Sequence, residues 1–152
     1  MKFCYAVLLA LVLAGCGKDP VVADLEAFDQ LGRSVFQDSA LESVKAKISQ
    51  AKTSTEKAAL LGEIAQTMEA KQKALSAFKA NTPETLKIVA AFNAGLQQSV
   101  EGAKNAQTAL LAADQAELSK ASVQMNDAQK TLREAASNFT KLAKEKGVKL
   151  NP

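Results

Sequence analysis

The last third of the chain carries an apolar pattern in which the steps alternate between three and four residues. Its positions are Leu118, Ala121, Met125, Ala128, Leu132, Ala135, Phe139 and Leu142. This heptad seam predicts a long helix that packs its apolar stripe against other helices. One row of the stripe is large and the other is small until its last position, so a neighbouring helix can approach closely.

A second long helix is predicted to begin after Thr82, because threonine caps helices, Pro83 suits the first helical position and Glu84 meets the positive end of the helix dipole. Its seam residues are Leu86, Val89, Asn93, Leu96, Val100, Ala103, Gln107 and Leu110. Beside them lies a mostly small stripe: Ile88, Gly95, Gly102 and Ala109. Each interior glycine costs about 1 kcal/mol of helix propensity. We therefore expect a close neighbour, a sister helix in preference to an outside partner.

Two further helices are predicted upstream. One begins at the capping box Thr53 to Glu56 and is interrupted on its apolar face by Lys71. Its seam residues are Leu61, Ile64, Met68, Leu75 and Phe78. The first helix carries Leu25, Phe28, Leu31 and Val35, then Leu41, Val44, Ile48 and Ala51. The phase of this pattern slips near Asp38 and Ser39, where we expect a kink or short break.

Four helices joined by short turns predict an all-α fold, an antiparallel up-and-down four-helix bundle, because short connections make neighbouring helices run in opposite directions. The alternative is a long two-helix coiled-coil hairpin, since neither 52–56 nor 112–117 contains glycine or proline. The formal net charge is +3, too small to indicate nucleic acid as a partner. Lysines gather at the C-terminus, where they suit the end of a helix dipole or an anionic surface. They are Lys141, Lys144, Lys146 and Lys149.

The N-terminus has the layout of a secretory signal peptide. Met1 and Lys2 precede a run of about eleven uncharged residues, too short to cross a hydrocarbon core about 30 Å thick. The run ends in Leu13-Ala14-Gly15-Cys16, which resembles the lipobox of bacterial lipoproteins. The resemblance implies cleavage before Cys16 and attachment of lipid to its thiol.

This resemblance divides the chain into a signal peptide at 1–15, a lipidated tether at 16–21 and a single helical domain at 22–152. Gly17 differs from the aspartate that marks inner-membrane retention in enteric bacteria. The resemblance therefore favours the outer membrane, facing the periplasm, in a Gram-negative host. Lys18 and Asp19 leave inner or outer membrane open, because other lineages read those later positions.

Catalytic chemistry has few candidates in this chain. The sequence contains no histidine, and its two cysteines are Cys4 and Cys16, one in the signal peptide and one at the lipid site. That excludes serine or cysteine catalysis with histidine and zinc sites with nitrogen or sulfur ligands. The remaining carboxylates are predicted to form a solvated helix face, including Asp24, Glu26, Asp29, Glu63 and Glu69. We predict no catalytic site, cofactor or metal.

The favoured function is that of a non-catalytic, membrane-anchored envelope lipoprotein, acting as a helical interaction or structural module. Its expected partners are the membrane, through the lipid, and an envelope protein; the oligomeric state is open. Asn93 and Gln107 in the second seam are candidate docking residues. The alternative is a carrier or sensor of a small apolar ligand or lipid within the bundle. Five phenylalanines could line its pocket: Phe28, Phe36, Phe78, Phe92 and Phe139. An enzyme that uses carboxylates alone is the third class.

Overall fold

The computed structural model describes residues 18–36 and 40–150, and all regular structure in these ranges is helical. The helices are α1 (Pro20–Phe36), α2 (Ala40–Gln50), α3 (Ser54–Ser76), α4 (Pro83–Leu111) and α5 (Gln115–Glu145). The first of the four predicted bundle helices corresponds to two helices, α1 and α2. The break that we predicted at Asp38 and Ser39 lies outside the described residues. Cys16 and the rest of the predicted signal peptide and lipobox also lie outside them. Helix α1 begins within the segment assigned to the tether.

The helices form an antiparallel up-and-down bundle, as the sequence predicts. Side-chain pairs between neighbouring helices advance along one helix as they retreat along the next. Between α3 and α4 they are Ser76–Asn93 and Glu69–Lys104, and between α4 and α5 they are Gln98–Thr131 and Asn105–Gln124. Helix α1 runs antiparallel to α3, since Asp24 bonds to Asn81 whereas Val35, further along α1, bonds to Lys71.

The capping box that was predicted at the start of α3 is confirmed. The Thr53 hydroxyl accepts a hydrogen bond from the Glu56 amide at 3.1 Å, and the Glu56 carboxylate accepts one from the Thr53 amide at 3.1 Å. These reciprocal bonds satisfy amides that have no partner within the helix. The capping box therefore marks where the second bundle helix starts.

The two-helix hairpin is wrong, because a turn also separates α4 from α5. Ala113 adopts a φ of 54° there, in the left-handed region that glycine usually occupies. The Asp114 carboxylate then accepts hydrogen bonds from the amides of Ala116 and Glu117, each at 3.0 Å. An aspartate cap and a strained alanine thus form a turn in a segment that has no glycine or proline to indicate it.

The small stripe of α4 faces α5, which confirms the prediction of a sister helix. A Cβ placed on Gly95 would lie 2.7 Å from Leu132 Cγ, and one placed on Gly102 would lie 2.7 Å from Met125 Cγ. The three alanines of the small row of α5, at positions 121, 128 and 135, are fully buried against this interface, while Met125 and Leu132 are half-buried. Glycine on one helix and alanine on the other therefore let the two backbones approach closely.

At the C-terminus, Gly147 follows the end of the last helix. It adopts a φ of 71°, and the Val148 amide donates a hydrogen bond to the Ala143 carbonyl at 2.8 Å. A left-handed glycine with this bond is the usual way to satisfy the last carbonyls of a helix. Val148 is buried in the same core cluster as Val21 and Leu25 of α1. The tail thereby packs beside the start of α1.

Candidate functional site

Helix α2 leaves one side of the bundle open. Among the described helices its backbone packs closely against α3 alone, whereas α4 contacts both α3 and α5 along its length. It is short and mostly polar, with Val44 buried and Leu41 and Ile48 half-buried. Its apolar face covers part of α3, and its backbone is not in close contact with that of α5.

A groove of about 570 Å³ lies between α2, α3 and α5. Its apolar lining consists of Leu41, Ile48, Leu61, Ile64, Met68, Met125 and Leu132, and its polar lining consists of Lys45, Ser99 and Gln129. Ligand sites in proteins occupy about 300 to 1,000 Å³ and are mostly apolar with a few polar groups. The groove therefore has the size and chemistry of a binding site for a small apolar ligand.

The groove follows directly from helical periodicity. Each of its three walls is one face of a helix and covers eight residues, in one step of three and one step of four. On α2 the wall residues are Leu41, Lys45 and Ile48; on α3 they are Leu61, Ile64 and Met68; on α5 they are Met125, Gln129 and Leu132. Seven residues rise about 10 Å along a helix axis. The groove is thus a slot between roughly aligned helix faces.

Lys45 is the charged member of the lining. Its ammonium group pairs with the Glu42 carboxylate at 2.7 Å on the same helix. The Lys45 and Glu42 side chains are 58% and 76% exposed, and ion pairs this exposed contribute little to stability. The Ser99 hydroxyl donates to the Gly95 carbonyl at 2.9 Å within α4. Lys45 therefore lies at the mouth of the groove and can exchange its partner at small cost.

The phenylalanines do not line this groove. Phe28 is buried, and its ring centroid lies 5.4 Å from that of Phe78, 5.5 Å from that of Phe92 and 5.3 Å from that of Phe139. These distances are typical of packed aromatic pairs, so the four rings form a core cluster near one end of the bundle. Phe36 is 39% exposed and joins three of them beside a shallow cleft of about 320 Å³.

The two polar seam residues of α4 face α3. The side-chain oxygen of Asn93, Oδ1, accepts a hydrogen bond from the Ser76 hydroxyl at 3.1 Å. The Gln107 side chain lies over Gly62. Both were candidate docking residues in the sequence. Their side chains make contacts within the bundle while staying half-exposed, so their role in docking stays a prediction.

Asp24 corrects the prediction of a fully solvated acidic face, because it is only 4% exposed. Its carboxylate accepts hydrogen bonds from the amides of Asn81 and Thr82, each at 2.8 Å, and from their side chains at 3.0 and 2.7 Å. Burial raises the pKa of Asp24, but the bonds from Thr82 and Asn81 lower it by more, to below the ordinary 3.8. Thr82 accordingly turns its hydroxyl to Asp24 rather than capping α4 itself.

Lys71, which interrupts the apolar seam of α3, binds the C-terminal end of α1. It is 5% exposed, and its ammonium group donates to the carbonyl of Val35 in the last turn of that helix. The same group lies 5.8 Å from the centre of the Phe36 ring. A cation at this place suits the negative end of the helix dipole and the aromatic face.

The other acidic residues are spread over the surface. Glu26 pairs with Lys18, Asp29 with Arg33 and Glu69 with Lys104, while Glu63 is exposed. Within residues 18–36 and 40–150 no three potential metal ligands come together. None of the helices in these ranges is long and apolar enough to span a bilayer.

No protein-family model, curated protein or solved structure matches the chain.

Proposed function

We propose that the protein is an envelope lipoprotein that is cleaved before Cys16 and anchored through lipid on that cysteine, with its bundle at the periplasmic face of the outer membrane. The observation that carries this proposal is Leu13-Ala14-Gly15-Cys16 at the end of an uncharged apolar run. Its role is non-catalytic, as a helical interaction or structural module.

The start of α1 supports a bundle held close to the membrane. Pro20 is four residues after Cys16. Four residues of fully extended chain are at most about 14 Å long. Lys146 at the end of α5 pairs with Asp19 at 3.2 Å, so the C-terminal end of α5 lies beside the tether. A lipid on Cys16 would hold this end of the bundle within about two helix diameters of the headgroups.

The same end presents exposed lysines. Lys79 is in the turn between α3 and α4, whereas Lys144 and Lys149 flank the end of α5, and all three are exposed. A lysine near an anionic bilayer surface contributes about 1 kcal/mol of attraction. These charges support an orientation in which this end of the bundle faces the membrane.

The opposite end supports an interaction role. Leu111, at the end of α4, is 62% exposed, and Val123, near the start of α5, is 57% exposed. Both lie in the half of the bundle remote from Asp19.

The carboxylates support a non-catalytic role. Among those described, Asp24 binds the α3–α4 turn and several others pair with lysine or arginine. These contacts support a structural use of the charged groups rather than a catalytic one.

The anchor is tested by Cys16→Ser, with Cys4→Ser as the matched control. We expect Cys16→Ser to abolish lipidation, measured by intact mass, and to move the protein from the membrane to the soluble fraction. Cys4→Ser should leave both unchanged, because Cys4 lies in the segment that is removed. A lipidated, membrane-bound Cys16→Ser protein would contradict the proposal.

The interaction role is tested with a photo-crosslinking residue at Val123 in intact cells, and with the same residue at Lys79 as the control. We expect a discrete envelope protein to be crosslinked from position 123 and not from position 79. Recovery of lipid alone, or of the protein itself, from position 123 would contradict the interaction role.

A second candidate function, carriage or sensing of a small apolar ligand, is favoured by the groove between α2 and α5. Its supporting observation is the lining of seven apolar side chains around about 570 Å³. Saturable binding of dodecanol to the purified protein tests it, and absence of such binding would contradict it.

A further inference from the structure

We propose that the groove binds one fatty acid, with the acyl chain between α2 and α5 and the carboxylate on the ammonium group of Lys45. This inference rests on the carrier function, which it makes specific. It does not depend on the lipid anchor at Cys16. The class of ligand follows from the shape of the groove and from the position of its charged residue.

The shape fits a single chain. Two roughly aligned walls, Leu41 to Ile48 on α2 and Met125 to Leu132 on α5, enclose a slot whose base is formed by α3. Each wall spans about 10 Å along its helix axis. The flexible thioethers of Met68 and Met125 suit a ligand with many conformers, because methionine adapts to irregular apolar surfaces. A bent medium-length acyl chain is the ligand that such a slot accommodates.

The charge fits an anionic head group. Lys45 occupies the middle of the α2 wall between Leu41 and Ile48, and Gln129 occupies the middle of the α5 wall. The carboxylate of a bound fatty acid could replace that of Glu42 on Lys45, since the existing pair is exposed and weak. The amide of Gln129 supplies a further hydrogen-bond donor. A neutral apolar ligand would leave both groups without a role in binding.

The limited packing of α2 allows this helix to adjust to a ligand that enters through the mouth of the groove. Among the described helices α2 packs closely against α3 alone, and the turn at Ala51 to Thr53 joins the two. Val44 is its one fully buried apolar residue among those described. An outward shift of α2 leaves the α3–α4 and α4–α5 interfaces intact, and it separates Val44, Leu41 and Ile48 from the apolar face of α3. A shift of α2 thus changes the width of the slot without breaking the contacts between α4 and its two neighbours.

The test is calorimetric titration of the purified protein with dodecanoate and, separately, with dodecanol, both below the concentrations at which they aggregate. We expect one saturable site, with dodecanoate bound more tightly than dodecanol. Lys45→Met should weaken dodecanoate binding about fivefold, the effect of one exposed charge pair, and leave dodecanol unchanged. Lys47→Met is the matched control, because Lys47 is on the same helix but does not line the groove. It should bind both ligands like the unaltered protein.

A second variant locates the chain. Ile48→Trp fills the slot from the half-buried face of α2 and should abolish binding of both ligands. Its fold is checked by circular dichroism, and Leu41→Trp replaces it if the helix content falls. No saturable dodecanoate site, or unchanged binding in a folded slot-filling variant, overturns the inference. Equal affinity for dodecanoate in Lys45→Met and the unaltered protein overturns the role of Lys45. If the inference fails but the unaltered protein still binds dodecanol, a carrier of neutral ligands is supported. If the unaltered protein binds neither dodecanoate nor dodecanol, the carrier function is contradicted as well.

Discussion

The carboxylate of Asp24 on α1 binds both the amide and the hydroxyl of Thr82, at 2.8 and 2.7 Å, at the first turn of α4. With two further bonds from Asn81, this single side chain accepts four hydrogen bonds from the turn between α3 and α4. It also joins α1 to the rest of the bundle, in addition to the buried Leu25 and Phe28 and the bond from Lys71 to Val35. A buried carboxylate with this many donors stabilises only while it is ionised.

We therefore expect Asp24→Asn to lower the free energy of unfolding by about 1 to 3 kcal/mol, because an amide cannot accept all four bonds and leaves a buried donor unpaired. Urea unfolding followed by circular dichroism measures the change. Glu42→Gln is the control, since Glu42 is largely exposed, and it should change stability by less than about 0.5 kcal/mol. Equal effects of the two substitutions would show that the Asp24 bonds contribute nothing.

The same contact predicts a dependence on pH. The pKa of Asp24 is lower in the folded protein than its ordinary 3.8, so the unfolded chain takes up the proton first as pH falls. The stability from Asp24 is fully present above about 3.8 and is lost as pH falls through the folded pKa. The difference in unfolding free energy between the unaltered protein and Asp24→Asn should therefore be constant well above pH 3.8 and shrink as the pH falls below 3.8. A constant difference would contradict the lowered pKa.

The helix starts were predictable because they depend on short-range chemistry. Thr53 and Glu56 meet within a single turn, and Pro83 fits the first position of any helix, so local sequence is sufficient. Asp24 was misread because its partners are 57 and 58 positions away along the chain. Nothing near Asp24 in the sequence distinguishes it from Glu26 and Asp29 on the same helix, which are only half-buried.

The groove could not be predicted for a related reason. The sequence shows the apolar faces of α2, α3 and α5, but the space between faces depends on how far apart the helices lie. The signal that could have suggested it is the short, polar composition of α2 after the phase slip at Asp38 and Ser39. The phenylalanines did not indicate this groove, because Phe28 packs against Phe78, Phe92 and Phe139 in another part of the bundle.

The close approach of α4 and α5 predicts opposite effects of alanine at two glycines. Gly102→Ala should destabilise the protein by about 1 to 2 kcal/mol despite better helix propensity. The reason is that its Cβ would lie 2.7 Å from Met125 Cγ and 3.3 Å from the Met125 amide nitrogen. Gly32→Ala on α1 has open space around the new atom and should stabilise by about 0.5 to 1 kcal/mol. Thermal unfolding of both variants measures the pair, and a stabilising Gly102→Ala would mean that the helices are further apart.

The turn between α4 and α5 predicts a second pair of opposite effects, at neighbouring alanines. Ala113 holds a φ of 54°, a conformation that costs an L-residue about 1 to 2 kcal/mol and glycine almost nothing. Ala113→Gly regains that cost but gives the unfolded chain more entropy, about 0.4 to 1 kcal/mol. The net expectation is stabilisation by up to about 1 kcal/mol. Ala112 has a φ of −83°, so Ala112→Gly gains nothing in the fold and should destabilise by about 0.5 to 1 kcal/mol. Equilibrium unfolding in urea compares the two, and equal destabilisation would show that Ala113 is not strained and that α4 ends for another reason.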